Sequence, residues 1–238
     1  MRSKKIIIIP AYNERESISE TIRGIQEKAP DYDYIIVNDC SVDDTLQICR
    51  EHGFNYIDLP INLGIGGAVQ TGYKYAADNG YEIAVQIDGD GQHDPSFLKK
   101  MEDTLLQQDA NMVIGSRFIE NEGFQSSFVR RIGISYFTRL IKLMTGFSVT
   151  DPTSGFRMVD RGLIERFSEE YPGDYPEPES VVEILLSKKK VVEIPVIMKE
   201  RQGGVSSIQP RKSVYYMIKV SLAIIFARLR KHGLNGNE

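Results

Sequence analysis

The first half of the chain alternates short β-branched apolar runs with stretches of helical periodicity. Residues 5–9, 34–37, 55–59, 83–87 and 112–114 read as strands, because Val, Ile and aromatic side chains suit a pleated surface buried on both sides. Helical patterns lie between them. Asn13 is placed to cap a helix that continues through Ile18, Ile22 and Ile25, and Ser41 with Asp44 reads as a capping box that Gly53 terminates. Asp94-Pro95 reads as an N-cap followed by proline at the first helical position. Strands alternating with helices predict an α/β fold, with a Rossmann-like, mostly parallel sheet flanked by helices. Beyond about residue 120 the pattern changes: 128–146 reads as a helix, 153–159 as a strand, 171–178 as a Pro- and Gly-rich loop, 181–188 as a helix and 191–198 as a strand. The simplest division is one domain over 1–210 and a C-terminal amphipathic helix within 211–238.

Composition narrows the function without naming it. At 238 residues the chain is long enough for one large α/β domain or two small ones, and 41% hydrophobic with 26% charged residues is a globular composition. A net charge of -4 offers no general attraction for nucleic acid, so no such partner is expected. Cys40 and Cys49, with no signal-peptide pattern, point to a reduced cytoplasmic setting rather than a disulfide framework. No uncharged apolar run reaches the roughly 18–20 residues that span a bilayer. Residues 214–229 are nonetheless almost wholly apolar and flanked by Arg211, Lys212, Arg228 and Lys231. They are expected to lie on a membrane surface, to pack on a partner helix, or to be buried.

The densest chemistry follows the fourth strand: Gln86-Ile87-Asp88-Gly89-Asp90-Gly91-Gln92-His93-Asp94. In an open parallel sheet, ligands bind beyond the carboxyl ends of the strands. Two acids separated by one glycine are hard oxygen ligands for Mg²⁺ or Mn²⁺, which complete their shells with water and substrate phosphate. Such an ion stabilises charge on a departing diphosphate. Asp94 reads more simply as a helix cap. The first strand ends in Pro10-Ala11-Tyr12-Asn13-Glu14 and the second in Asn38-Asp39, so Tyr12, Glu14 and Asp39 bring a stacking face and hydrogen-bond acceptors to adjacent strand ends. Asn62-Leu63-Gly64-Ile65-Gly66-Gly67-Ala68 opens a helix, and Gly66 either frees backbone N–H groups for an anionic ligand or closes a turn. Glycines after the third strand are misplaced for a dinucleotide fingerprint.

Together with Gly115-Ser116-Arg117, these segments resemble the family 2 glycosyltransferases over about residues 5 to 210. Within that family the chain is most similar to the branch of dolichol-phosphate mannose synthases and bacterial polyprenyl-phosphate sugar transferases. The resemblance implies a GT-A fold, a UDP- or GDP-sugar donor, inversion at the anomeric carbon and a divalent metal. It implies that Pro10, Tyr12, Glu14 and Asp39 hold the nucleoside, that Asp88, Asp90 and Gln92 meet the metal and diphosphate, and that Arg201 closes over the donor. Related enzymes work beside a separate small membrane protein, so such a partner or a homo-oligomer is expected, peripheral on the inner face of the cell membrane.

On the acceptor side, Arg131, Ser135, Thr138 and Lys142 share one helical stripe, with Phe128, Ile132, Tyr136, Leu140 and Leu143 on the apolar rows. In the resembled branch, residues matching Arg117, Arg131 and Ser135 receive the acceptor phosphate, and an acid near the position of Asp151 stands beside it. A lipid phosphate is largely ionised at neutral pH and needs no strong base. Transfer to a sugar hydroxyl in polysaccharide assembly would need one, for which Asp151, Glu177 and Glu179 are the candidates, Glu179 preferred because it begins the expected helix. A catalytically silent sugar-nucleotide-binding subunit is the remaining alternative.

Overall fold

The computed structural model describes residues 3–120, 122–124, 128–200 and 210–235. Strands β1 (Lys5–Ala11), β2 (Asp33–Asn38), β3 (Tyr56–Asp58), β4 (Ile83–Gln86), β5 (Met112–Ser116), β6 (Arg157–Asp160) and β7 (Val191–Pro195) form one sheet in the order β3-β2-β1-β4-β6-β5-β7. β6 runs antiparallel to both its neighbours, β4 and β5, and the other pairings are parallel. The helices are α1 (Ile18–Lys28), α2 (Thr45–Glu51), α3 (Gly64–Asp78), α4 (Leu98–Gln107), α5 (Phe128–Thr145), α6 (Arg161–Glu169), α7 (Pro176–Leu186) and α8 (Pro210–Asn235). The chain leaves β1 towards β2 and β3, then returns to place β4 on the other side of β1. That reversal makes the carboxyl ends of β1 and β4 the switch-point crevice where open α/β sheets bind ligands.

Every residue of β1 is buried because its side chains alternate between two cores. Ile6 and Ile8 join Val69 and Tyr73 of α3, Phe137 and Ile141 of α5, and residues of α6 and α7 on one face. Ile7 and Ile9 join Ile18, Ile22 and Ile25 of α1, with Leu98 and Met101 of α4, on the other. Val220 and Ile224 of α8 are in the first core, at 1% and 0% exposure, so the C-terminal helix packs onto the sheet domain through α5 and α7.

Local boundaries differ from the sequence expectations where side chains found distant partners. Asn13 caps no helix: it sits at φ 58°, its Oδ1 accepts from Val42 N–H at 2.9 Å, and its own N–H donates to Ser41 Oγ at 3.0 Å. Both capping expectations therefore fail together, because Asn13 and Ser41 tie the ends of β1 and β2 to each other; α1 begins at Ile18 and α2 at Thr45. The strand expected over 153–159 is shortened to β6, since Ser154 turns the preceding loop by donating from Oγ to Gly115 O at 2.7 Å. The expected loop over 171–178 gives way at Pro176, which occupies the first turn of α7 where no N–H is needed. α6 was not anticipated, although Asp160 caps it by accepting from Leu163 N–H at 2.9 Å. On α5 the buried row is Ile134, Phe137 and Ile141, while Ile132, Tyr136 and Leu143 of the expected apolar row are exposed.

Asp94 caps as expected, accepting from Ser96 N–H at 2.9 Å ahead of a 3₁₀ turn, Pro95–Phe97, that leads into α4. Its carboxylate also pairs with Lys28 of α1 at 2.9 Å. Burial raises its pKa, but the bonds from Lys28 and Ser96 outweigh this and bring it from 3.8 down to about 2. A depressed folded-state pKa contributes stability above the unfolded value that is lost as pH falls through the folded one. Asp94→Ala is expected to lower the melting temperature at pH 7 by about 2–4 °C, a cap being worth roughly 1 kcal/mol. The difference from the parent should shrink between about pH 4 and pH 2; a gap constant over that range in calorimetry would show that the carboxylate charge is irrelevant.

Candidate active site

The site stands on the carboxyl ends of β1, β2, β4 and β5. Beyond β4, Asp88 leaves the sheet with its backbone N–H donating to His93 Nδ1 at 3.1 Å, so the ring hydrogen of that histidine lies on Nε2. His93 is buried and stacked on Phe156 at 4.9 Å, which makes it a rigid post under the acidic loop. Gln86 Nε2 donates to Asp88 Oδ1 at 2.9 Å. Gly155 packs against the same carboxylate: a Cβ there would fall 3.1 and 3.2 Å from its two oxygens and 2.9 Å from Gln86 Nε2. Asp90 is 6% exposed, and its Oδ1 accepts from Gln92 N–H at 3.0 Å. Gln92 donates from Nε2 to Lys199 O at 3.2 Å, and its Oε1 is the atom with the chemistry to meet a cation.

Among the described residues no group of three or more His, Cys, Asp or Glu side chains gathers as a self-sufficient metal site. Two carboxylates and one amide oxygen are what a hard divalent ion takes from protein when diphosphate oxygens complete its shell. The donor set fits Mg²⁺ or Mn²⁺ held jointly with a nucleotide.

On the nucleoside side, Tyr12 is 47% exposed, and Pro10 is buried in β1, whose buried run ends at Ala11 just before Tyr12. Glu14 is held by Thr45 Oγ1, which accepts from its N–H at 2.9 Å, and by Ser17 Oγ, which donates to its Oε2 at 3.1 Å. Asp39 is buried and accepts from Leu63 N–H at 2.7 Å. Burial raises its pKa while the N–H groups of Leu63 and Gly64 lower it, with a net rise. Asp39 thus also caps the start of α3. Gly66 has a different reason for being glycine than the exposed N–H groups expected of it. Its N–H donates to Gly173 O at 3.0 Å, and a Cβ would lie 2.1 Å from the carbonyl oxygens of both Pro172 and Gly173. Close packing, not an open anion cradle, explains this position. Arg201 lies outside the described residues.

On the acceptor side, Arg117 and Asp151 are 6% and 0% exposed and form a two-pronged pair, Nε to Oδ2 and Nη2 to Oδ1, both at 2.7 Å. Asp151 is itself fixed by Glu193 of β7, whose Oε1 accepts from Asp151 N–H at 2.9 Å while Oε2 accepts from Thr150 N–H at 2.7 Å. Burial raises the Glu193 pKa against these bonds. Arg131 and Ser135 are exposed on α5. The neighbouring Arg130 interacts with Arg117: burial and then the Arg117 charge lower its pKa, while Tyr216, Asp151 and Glu177 raise it. Glu177 stands in the same field. Burial raises its pKa, Arg157 and Arg130 pull it down, and Asp88 pushes it up. Glu177, two residues before the expected Glu179, is thus electrostatically coupled to Asp88. Arg130, Arg157, Glu193 and the bracing role of His93 went unread in the sequence. The Asp-Pro-Thr-Ser-Gly-Phe-Arg run was the one available signal, since it leads an arginine straight into an apolar strand.

The sequence pattern of the family described as Glycosyl transferase family 2 matches residues 6–167. The chain belongs to that family. It is 32% identical over 213 residues to a UDP-N-acetylglucosamine–dolichyl-phosphate N-acetylglucosaminyltransferase of Methanococcus voltae, covering 80% of this chain and 83% of the relative. It is 27% identical over 212 residues to the undecaprenyl-phosphate mannosyltransferase of Micrococcus luteus, covering 85% and 86%. Among solved structures, glucosyl-3-phosphoglycerate synthase of Mycobacterium tuberculosis with Mn²⁺, UDP and product superposes with a TM-score of 0.70 at 18% identity, covering 95% of this chain and 80% of that one. That likeness establishes the fold, GT-A as the resemblance implied.

Proposed function

We propose that this family 2 glycosyltransferase moves a sugar from a UDP- or GDP-sugar to a polyprenyl phosphate, as an inverting enzyme at the cytoplasmic face of a membrane. The observation that carries this reading is an acidic loop, Asp88 to Gln92, leaving the carboxyl end of β4, together with an electrostatically coupled arginine pair, Arg117 after β5 and Arg130 on α5. One side suits a diphosphate with its ion and the other an anionic acceptor. The names of the relatives support it, since both act on polyprenyl-type phosphates.

In the proposed step an acceptor phosphate oxygen attacks the anomeric carbon as the bond from that carbon to the diphosphate breaks, and the nucleoside diphosphate departs. Tyr12, Glu14 and Asp39 hold the nucleoside, with Pro10 shaping the wall beside Tyr12. Asp88, Asp90 and Gln92 would hold Mg²⁺ or Mn²⁺, which when bound offsets the charge developing on the leaving group. Arg117, oriented by Asp151, and Arg130 draw the acceptor phosphate in; Arg131 and Ser135 extend that basic stripe along α5 towards the surface. Positioning and charge are sufficient, because a phosphate acceptor is already ionised.

No helix among the described residues is long and apolar enough to cross a membrane. Two exposed apolar rows nonetheless adjoin. Ile132, Tyr136 and Leu143 of α5 lie beside Tyr215, Ile218, Leu222 and Phe226 of α8, and Tyr136 Oη and Ser221 Oγ join the helices at 2.9 Å. With Arg131, Lys142, Lys219 and Arg228 nearby in sequence, the face suits an anionic lipid surface. A small membrane protein or a second copy of the chain is the other cover it would accept.

The reading is tested with vesicles containing undecaprenyl phosphate, Mn²⁺ and UDP-glucose, UDP-N-acetylglucosamine or GDP-mannose in turn. Lipid-linked sugar is expected with one donor; folded protein that binds nucleotide and yields no product with any of them would sink it. The elevated pKa of Glu177 favours one alternative, transfer to a sugar hydroxyl with that carboxylate as base. Glu177→Gln separates the two. A phosphate acceptor predicts a loss of kcat of roughly tenfold or less, whereas base catalysis predicts a loss of about 100-fold or more.

A further inference from the structure

Arg157 opens β6 directly beneath the site and is 1% exposed. Its guanidinium reaches three acceptors, all of them neutral. Nε donates to Ser154 O at 2.6 Å, Nη2 to Pro152 O at 2.8 Å, and Nη1 to Ser180 Oγ at 2.8 Å. Among the described residues no carboxylate stands within ion-pair distance of it. A guanidinium does not shed its proton in a protein, and buried charges are ordinarily paired because desolvation is costly. The retained charge must therefore be balanced at longer range by the acids of the site.

The three bonds join two segments that both reach the chemistry. Pro152 and Ser154 belong to the loop that carries Asp151, and so orients Arg117, and whose Gly155 rests on the Asp88 carboxylate. Ser180 lies in the first turns of α7, three residues after Glu177, and its Oγ in turn donates to Pro176 O at the start of that helix. Across the sheet Arg157 is the register partner of Gln86, which holds Asp88.

Resting on the transferase reading, we infer that Arg157 is the positioning residue of the site. One guanidinium clamps the acceptor loop to α7, the helix that carries Glu177. The groups facing Glu177 agree with this from each packed element: Arg157 from β6, Arg130 from α5, Asp88 from the loop after β4, and Tyr216 from α8. Lysine at this position keeps the charge but cannot span three acceptors; glutamine loses the charge and most of the span.

The test compares Arg157→Lys and Arg157→Gln with the parent. For Arg157→Gln, kcat for lipid-linked sugar is expected to fall about 100-fold, the scale of a misplacement of about 1 Å. The KM for the donor should change less than about threefold, because Asp39, Glu14 and Tyr12 are untouched. The ¹³C titration midpoint of the Glu177 carboxyl should rise by about one pH unit in Arg157→Gln and stay near the parent value in Arg157→Lys. Unchanged kcat, or a midpoint that moves equally in both variants, overturns the proposal. Should Arg157→Gln fail to fold, Ser180→Ala removes one acceptor of the three; kcat reduced severalfold at an unchanged melting temperature supports the clamp, and unchanged kcat refutes it. The carboxyl titration requires no turnover, so a parent protein inactive with every donor would defeat the transferase reading while still deciding whether Arg157 governs Glu177.

Discussion

Asp90→Asn is expected to lower kcat for sugar transfer by roughly 1,000-fold while leaving the melting temperature within about 3 °C of the parent. The two effects separate because the side chain has two duties. In the folded protein Asp90 Oδ1 accepts from Gln92 N–H at 3.0 Å, and the residue is 6% exposed. An asparagine carbonyl oxygen accepts the same bond, so the loop keeps its shape. The negative charge, however, is lost, and with it one of the two carboxylates proposed to hold a divalent ion. Several kcal/mol of charge stabilisation at the leaving diphosphate corresponds to about three powers of ten in rate. Titration calorimetry should show Mn²⁺-dependent nucleotide binding weakened in the variant. Wild-type turnover and unaltered metal dependence in Asp90→Asn would remove the acidic loop from the chemistry altogether.

Asp151→Ala is the substitution expected to cost most stability. Arg117 and Asp151 are both buried, and the carboxylate accepts from Arg117 Nε, Nη2 and backbone N–H as well as from Thr153 Oγ1. Removing one partner strands the other charge away from water, at about 3–5 kcal/mol, or roughly 10 °C in a chain of this size. Asp151→Asn retains acceptor oxygen without charge and should fall between. Kinetically, Arg117 loses its orientation, so the KM for the lipid phosphate should rise in both variants while donor affinity holds. A loss below about 1 kcal/mol in denaturant titration of Asp151→Ala would mean that the pair is solvated in solution and does not anchor the acceptor side.

The parts of the site readable in the sequence were those whose meaning is local. An apolar strand running into Asp88-Gly89-Asp90 is a strand end wherever it lies, and ligands gather at strand ends in a parallel sheet. The run of isoleucines in β1 announced burial on both faces. Asn13 and Ser41 were misread because each carries the chemistry of a helix cap, and only a contact across 28 residues assigns them to each other. The two readings of Gly66 stayed open for a similar reason: a glycine at a helix start has the same sequence appearance whether it faces a ligand or the carbonyls of a loop more than 100 residues away. Missing α6 was avoidable, since Asp160 and the spacing of Leu163, Ile164 and Phe167 carried a cap and an apolar face.

Glu177 and Glu179 mark the boundary between the two kinds of information. Both were visible as acids near the start of a helix, but residues two apart point about 200° away from each other around it. The chain alone determined which chemical groups exist, where strands end and which acids flank them, because those follow from periodicity over a few residues. Only the tertiary structure decided that Ser180 of α7 meets Arg157, that β6 enters the sheet backwards, and that Arg157 is carried beneath the site. Those choices depend on how distant surfaces fill space against one another, and no short-range pattern encodes that fit.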